Sequence, residues 1–211
     1  MRIMKFTLAV FGSALLMPAA VQSGMIVNIV ESGGDVVATA SGSLDVSALV
    51  KLLDFTNNQS FVDPDPARLM LGPHGALETD RYRIPLGPQT FGPGTAPTVA
   101  SFGSGDRVAI IGNVFDHSNL LVPDGYVSGT TLMSTSTFSG TTIAGLGLAE
   151  GTYEYTWGSG ATADFVTINI GASAAVPEPS SLALLGIGGL ALLGYGRRRN
   201  GRRVDGELPP C

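Results

Sequence analysis

Thr152-Tyr153-Glu154-Tyr155-Thr156-Trp157, then Gly158-Ser159-Gly160, then residues 162–170, is the stretch whose reading decides the fold. Side chains alternate faces along a strand. Period 2 puts Tyr153, Tyr155 and Trp157 on one face and Thr152, Glu154 and Thr156 on the other. On the return run Val166, Ile168 and Ile170 share a face. Two such runs around a glycine-rich loop predict a β-hairpin.

The same grammar extends outward. Residues 25–31 are rich in Val and Ile, Gly33-Gly34-Asp35 turns the chain, and residues 36–41 follow. Residues 44–49 alternate through Leu44, Val46 and Ala48. Residues 68–71, 98–102, 107–111 and 132–138 are further strand candidates. Nowhere between 24 and 175 does a period of 3.6 persist for ten residues. Runs of four to eight residues between Gly, Pro, Asn, Asp and Ser clusters predict an all-β domain: a single antiparallel β-sandwich or a jelly-roll-like fold. The chain of 211 residues has 29 Gly and 13 Pro, which suits many turns and few helices.

Charge is sorted by position. Residues 24–176 carry 14 acids against 5 bases, a net −9, although the whole chain carries only −5. The compensating bases sit at the ends: Arg2 and Lys5 at one, Arg197, Arg198, Arg199, Arg202 and Arg203 at the other. An acidic domain without a basic face does not suit nucleic acid. One Cys excludes an internal disulfide.

The ends read as address labels. Arg2 and Lys5 precede an apolar run over residues 6–17, and Pro18 breaks it. Small residues follow, which places signal-peptidase cleavage between Ser23 and Gly24. At the other end Val176-Pro177-Glu178-Pro179-Ser180-Ser181 leads into an uncharged stretch, residues 181–196, and then into the arginines. Sixteen helical residues span about 24 Å, a short membrane helix that snorkelling arginines can extend. The positive-inside rule keeps those arginines in the cytoplasm and places residues 24–175 outside the inner membrane. Pro177 and Pro179 hold Glu178 in extended, accessible backbone. The expected organisation is a signal peptide (1–23), an exported all-β domain (24–175), a sorting signal (176–203) and a cytoplasmic tail (204–211).

Val-Pro-Glu-Pro-Ser-Ser, the short Gly- and Leu-rich helix and the arginine cluster, in that order, resemble the PEP-CTERM sorting signal of Gram-negative bacteria. The resemblance implies recognition by an exosortase, a membrane cysteine transpeptidase, with Val176, Pro177, Glu178, Pro179, Arg197, Arg198 and Arg199 as the sorting residues. It implies cleavage near Pro-Glu-Pro and passage to the cell surface or exopolysaccharide matrix, with exopolysaccharide as a candidate partner. One departure is that residues 200–211 continue past the arginines, where such signals usually stop. Three further stretches resemble a recurring ectodomain of PEP-CTERM proteins: residues 29–39, 122–129 and 151–161. That resemblance supports an all-β envelope domain and carries no activity.

Candidate chemistry is sparse. Asp116-His117-Ser118 has the letters of a hydrolase triad, but neighbours in an extended chain face opposite ways and no nucleophile elbow accompanies them. A polar turn between Val114 and Leu120 is the plainer reading. Two histidines, His74 and His117, and one terminal Cys211 are too few for zinc. Asp63-Pro64-Asp65 offers oxygens for calcium but no calcium-loop pattern. No cofactor and no metal are expected, and no catalytic residue. The expected role is a non-catalytic, exported surface or matrix protein. The alternative is a carbohydrate-binding module in which Tyr126, Tyr153, Tyr155 and Trp157 form a sugar-stacking platform, against a core role for the single Trp.

Overall fold

The computed structural model describes residues 24–171, so the signal-peptide and sorting-signal segments lie outside the described residues. Fourteen strands make up the described chain: β1 (Gly24–Ser32), β2 (Asp35–Ser43), β3 (Val50–Lys51), β4 (Phe55–Asn57), β5 (Phe61–Asp63), β6 (Arg68–Leu71) and β7 (Leu77–Ile84), then β8 (Thr98–Val99), β9 (Phe102–Gly105), β10 (Val108–Val114), β11 (His117–Pro123), β12 (Thr131–Phe138), β13 (Gly151–Trp157) and β14 (Asp164–Ile170). A 3-10 turn, Gly160–Thr162, is the one helical element among them. Among the described residues no helix is long and apolar enough to cross a membrane.

The strands form two sheets. The first runs β13-β14-β1-β2-β12-β9. The second runs β3-β7-β11-β10-β6-β5-β8, with β4 also on the β7 edge. The domain is all-β, as the turn spacing predicts. One pairing departs from the antiparallel expectation: β1 and β14 run parallel, in register from Met25↔Val166 to Ile29↔Ile170. The first sheet is therefore mixed. The β13–β14 hairpin has the expected pairing, from Gly151↔Ile170 to Trp157↔Asp164. Between β1 and β2, Gly33 and Gly34 both take positive φ, at 63° and 92°. A two-residue loop of this kind follows the strand twist, and glycine adopts it without a Cβ clash.

Burial alternates as the pleat demands. Met25, Val27 and Ile29 of β1, Val36, Ala38 and Ala40 of β2, and Val166, Ile168 and Ile170 of β14 face inward. Leu69 and Leu71 of β6, Val108 and Ile110 of β10, and Leu120 and Val122 of β11 face inward from the second sheet. All join one hydrophobic cluster. Burying such side chains, at about 1.5–3 kcal/mol each, is the main term that outweighs chain entropy.

Some expected elements differ. Of residues 44–49, Leu44 and Val46 lie inside as the alternation predicts, but Ala48 is exposed and the run forms no ladder. Side chains hold their backbone instead. The run 98–102 is not one strand: β8 pairs β5 in the second sheet and β9 pairs β12 in the first, so the chain changes sheets at Ala100 and Ser101. The polar stretch after Val114 turns only at Phe115 and Asp116, and His117 already begins β11. β3, β4, β5 and β7 lie where no strand is expected.

Candidate functional site

The aromatic residues are brought together, but as fasteners. Tyr155 and Trp157 are 1% and 4% exposed, and both belong to the main core. Tyr126 and Tyr153 are half-buried against it. Each polar tip reaches a backbone carbonyl. Tyr155 Oη donates to Pro88 O at 2.9 Å, and Trp157 Nε1 donates to Asp45 O at 2.8 Å. Tyr153 Oη lies 3.0 Å from Ala149 O and 3.2 Å from Phe91 O, and its ring meets Phe91 edge-on at 5.2 Å. Tyr126 Oη accepts from Leu44 N at 2.9 Å and donates to Thr130 O at 2.7 Å. Buried Tyr and Trp find such partners because an unpaired polar tip is costly. The four rings therefore do not make the solvent-facing platform of the carbohydrate alternative. Period 2 put three of them on the face that packs inward.

This fastening explains residues 44–46. Val46 N donates to Ser128 Oγ at 3.0 Å, Gly129 N donates to Leu44 O at 3.0 Å, and Asp45 N donates to the buried Asp164 carboxylate. Side chains from the β11–β12 connection, β13 and β14 thus replace a strand ladder. A cleft of about 590 Å³ lies beside Trp157, bordered by Pro85, Glu154, Thr156, Asp164 and Phe165. Asp164 is already engaged by Asp45 N and Phe165 N.

The tyrosine burial has a pH consequence. Burial raises the phenol of Tyr155 far above its ordinary value, and those of Tyr82, Tyr126 and Tyr153 less so. In the unfolded chain these phenols ionise near pH 10. Above that pH the unfolded chain binds fewer protons than the folded one, so stability falls as pH rises. Stability is expected to be flat between about pH 8 and 9 and to drop above about pH 10. Urea titration of wild type and Tyr155→Phe across that range checks this. The variant should lose part of the alkaline slope.

The remaining sequence candidates are dispersed. Asp116 Oδ1 lies 2.9 Å from His117 Nδ1, and its Oδ2 accepts from Arg83 Nη2 at 2.8 Å. The contact with His117, and then Arg83, lowers the Asp116 carboxyl below the usual range. Ser118 is fully buried on the opposite face of β11, so no triad forms. Asp63 of the Asp63-Pro64-Asp65 turn is buried and receives Arg68 Nε at 3.0 Å and Arg68 Nη2, whereas Asp65 is exposed. Among the described residues no group of three or more His, Cys, Asp or Glu could hold a metal ion. His74 is exposed. Ser23 and the sorting residues Val176, Pro177, Glu178, Pro179, Arg197, Arg198 and Arg199 lie outside the described residues. Gly24, on the other side of the expected cut, opens β1.

Arg107 is a functional-looking residue that the sequence does not single out. It is 3% exposed and donates to three carbonyls: Asn57 O at 2.9 Å, Gly75 O at 3.3 Å and Pro73 O. Burial lowers its pKa. It ties the end of β4 to the β6–β7 connection, which is a structural role.

No curated protein and no solved structure matches the chain. One family model does match, over residues 175–203, and it is described as the PEP-CTERM protein-sorting motif. The match covers the Pro-Glu-Pro residues, the uncharged stretch and the arginine cluster together. The chain carries a PEP-CTERM sorting signal, which marks it as an exported, exosortase-processed protein of the Gram-negative type with a transient membrane anchor.

Proposed function

We infer that this is a non-catalytic cell-surface or extracellular-matrix protein whose working part is the all-β domain. The observation that carries the reading is the three-part sorting signal at residues 175–203, immediately after an acidic, disulfide-free β domain. In this reading signal peptidase cuts between Ser23 and Gly24. The helix of residues 181–196 anchors the chain in the inner membrane, with residues 197–211 in the cytoplasm. Exosortase then cuts near Pro177-Glu178-Pro179, and the domain of residues 24–175 leaves with net charge −9. The two sheets act as a sandwich with one core, a durable build for a protein outside the cell. The engagement of Asp63, Asp116 and Asp164 by neighbouring donors supports a role without catalysis.

Replacing Pro177, Glu178 and Pro179 together by Ala tests the sorting step. Wild-type protein is expected outside the inner membrane, with an intact mass that lacks both ends. The triple variant is expected in the inner membrane with its C-terminal residues still attached. Normal release of the variant would overturn the reading, as would a mature mass that still includes the arginine cluster.

A further inference from the structure

The face of the second sheet turned away from the main core carries a small second cluster: Met70, Ala109 and Leu121, all at most 3% exposed. Phe55 of β4 and Phe61 of β5 pack over it from the two sides of the β4–β5 link. Pairing defines the layout. Leu121 sits opposite Arg81 and Ala109, and Ala109 sits opposite Met70, which faces Phe61. Two residues along, Asn119 sits opposite Arg83 and Ile111, and Ile111 sits opposite Arg68. An apolar row thus lies beside a polar row on one face.

Between the rows is a groove of about 290 Å³, lined by Phe55, Phe61, Arg68, Arg81, Asn119 and Leu121 among others. Its polar groups are not all used. Asn119 is 4% exposed, yet its Oδ1 has no hydrogen-bond partner. Arg81 Nε is buried and also has none, and Arg81 makes no ion pair among the described residues. Buried polar atoms are rarely left unpaired, and an amide and a guanidinium that line one groove suit a ligand. Charge agrees. Arg68, Arg81 and Arg83, three of the five basic residues between 24 and 171, stand on this face of an otherwise acidic domain. Asp63 neutralises Arg68 and Asp116 pairs with Arg83, which leaves Arg81 as the available cation. Arg81 Cζ also stands over the Phe55 ring, 5.9 Å from its centroid, so the aromatic ring and the cation act at one point.

We propose that this groove binds a carboxylate-bearing, hydroxylated ring: one uronic acid unit of an acidic saccharide. The ring's carboxylate takes the Arg81 guanidinium, a hydroxyl serves the Asn119 amide, and the ring's C–H face lies against Phe55 and Leu121. The volume suits one ring, so binding to a single unit is weak and a longer chain gains through repeats. This site is separate from the four aromatics considered from the sequence.

The test uses the full chain in mild detergent, with glucuronate titrated by calorimetry and by saturation-transfer NMR. Saturable binding in the roughly millimolar range is expected, with glucose at least about tenfold weaker. Arg81→Gln is expected to weaken glucuronate about tenfold or more at unchanged thermal midpoint, Phe55→Ala to weaken it as much at a lowered midpoint, whereas Arg83→Gln keeps it. Chemical-shift changes confined to the Asn119 side-chain amide and its neighbours would support the site even if Phe55→Ala unfolds. No saturable binding overturns the proposal, as does equal binding of glucose. Acetate competing as well as glucuronate would reduce the site to a simple anion site and also overturn it. So would tighter binding of N-acetyl-glutamate amide, which would indicate an acidic peptide.

Discussion

Tyr155→Ala is expected to destabilise the domain by about 3–5 kcal/mol. The side chain is the largest of the fully buried ones among the described residues, and its ring lies on Gly87, where a Cβ would strike it. Truncation leaves a cavity between β13 and the loop after β7, and those rigid surroundings can refill it only partly. It also removes the bond to Pro88 O. Tyr155→Phe keeps the ring and is expected to cost about 1 kcal/mol. Urea unfolding of the two variants separates packing from hydrogen bonding. Equal costs would show that the hydroxyl, and not the ring, holds the loop.

Gly103→Ala is expected to cost about 3 kcal/mol or more, unusual for a single methyl. Gly103 lies in β9 of the first sheet, but the atoms a Cβ would meet are the carbonyl oxygen and carbon of Gly72, which follows β6 of the second. These are backbone atoms and cannot rotate aside. Gly72 is held in turn by Ser60, whose Oγ donates to Gly72 O, and by Ser136 Oγ, which accepts from Gly72 N at 3.2 Å. One methyl must therefore move one sheet against the other. Gly125→Ala is the control. Its φ is 71° but nothing lies within 4 Å of the added Cβ, so it is expected to cost only about 1 kcal/mol. Thermal midpoints of the two variants check the contrast.

Local alternation made part of this fold legible. β1, β13 and β14 carry apolar or aromatic residues at every second position, β6 is a short apolar run, β2 continues Val36 with Ala38 and Ala40, and β12 is marked by Leu132 and Phe138, so their faces follow from period 2. β7 was hidden because Glu78, Asp80, Arg81 and Arg83 make it look solvated. Yet Asp80 lies inside, paired with Lys51 at 2.6 Å, and Arg81 lies over Phe55. β11 was hidden because His117, Ser118 and Asn119 are turn-forming types, though here each is a ladder residue. Residues 44–46 misled in the opposite sense: their alternation is real, but their partners are side chains. The sorting signal was fully legible because its parts are contiguous in the chain. The groove lined by Arg81 and Asn119 was not, because its residues come from strands separated in sequence and meet only through register.

The parallel pairing of β1 with β14 ties the start of the domain to its end: Asn28 and Asn169, 141 positions apart, share a side-chain hydrogen bond at 3.1 Å. An exported chain threads across the inner membrane from its N-terminal side, so β1 arrives first and β14 last. Until residues 164–170 emerge, β1 can pair only with β2, and its other edge is an open Val- and Ile-rich template for any neighbouring chain. Only residues 171–176 separate the completed sheet from the Pro-Glu-Pro motif. The last segment to cross therefore both closes the vulnerable edge and brings up the stretch that holds the molecule at the membrane. Folding and retention are timed by the same few residues of translocation, and a chain stalled before them would face its neighbours with its first strand uncovered.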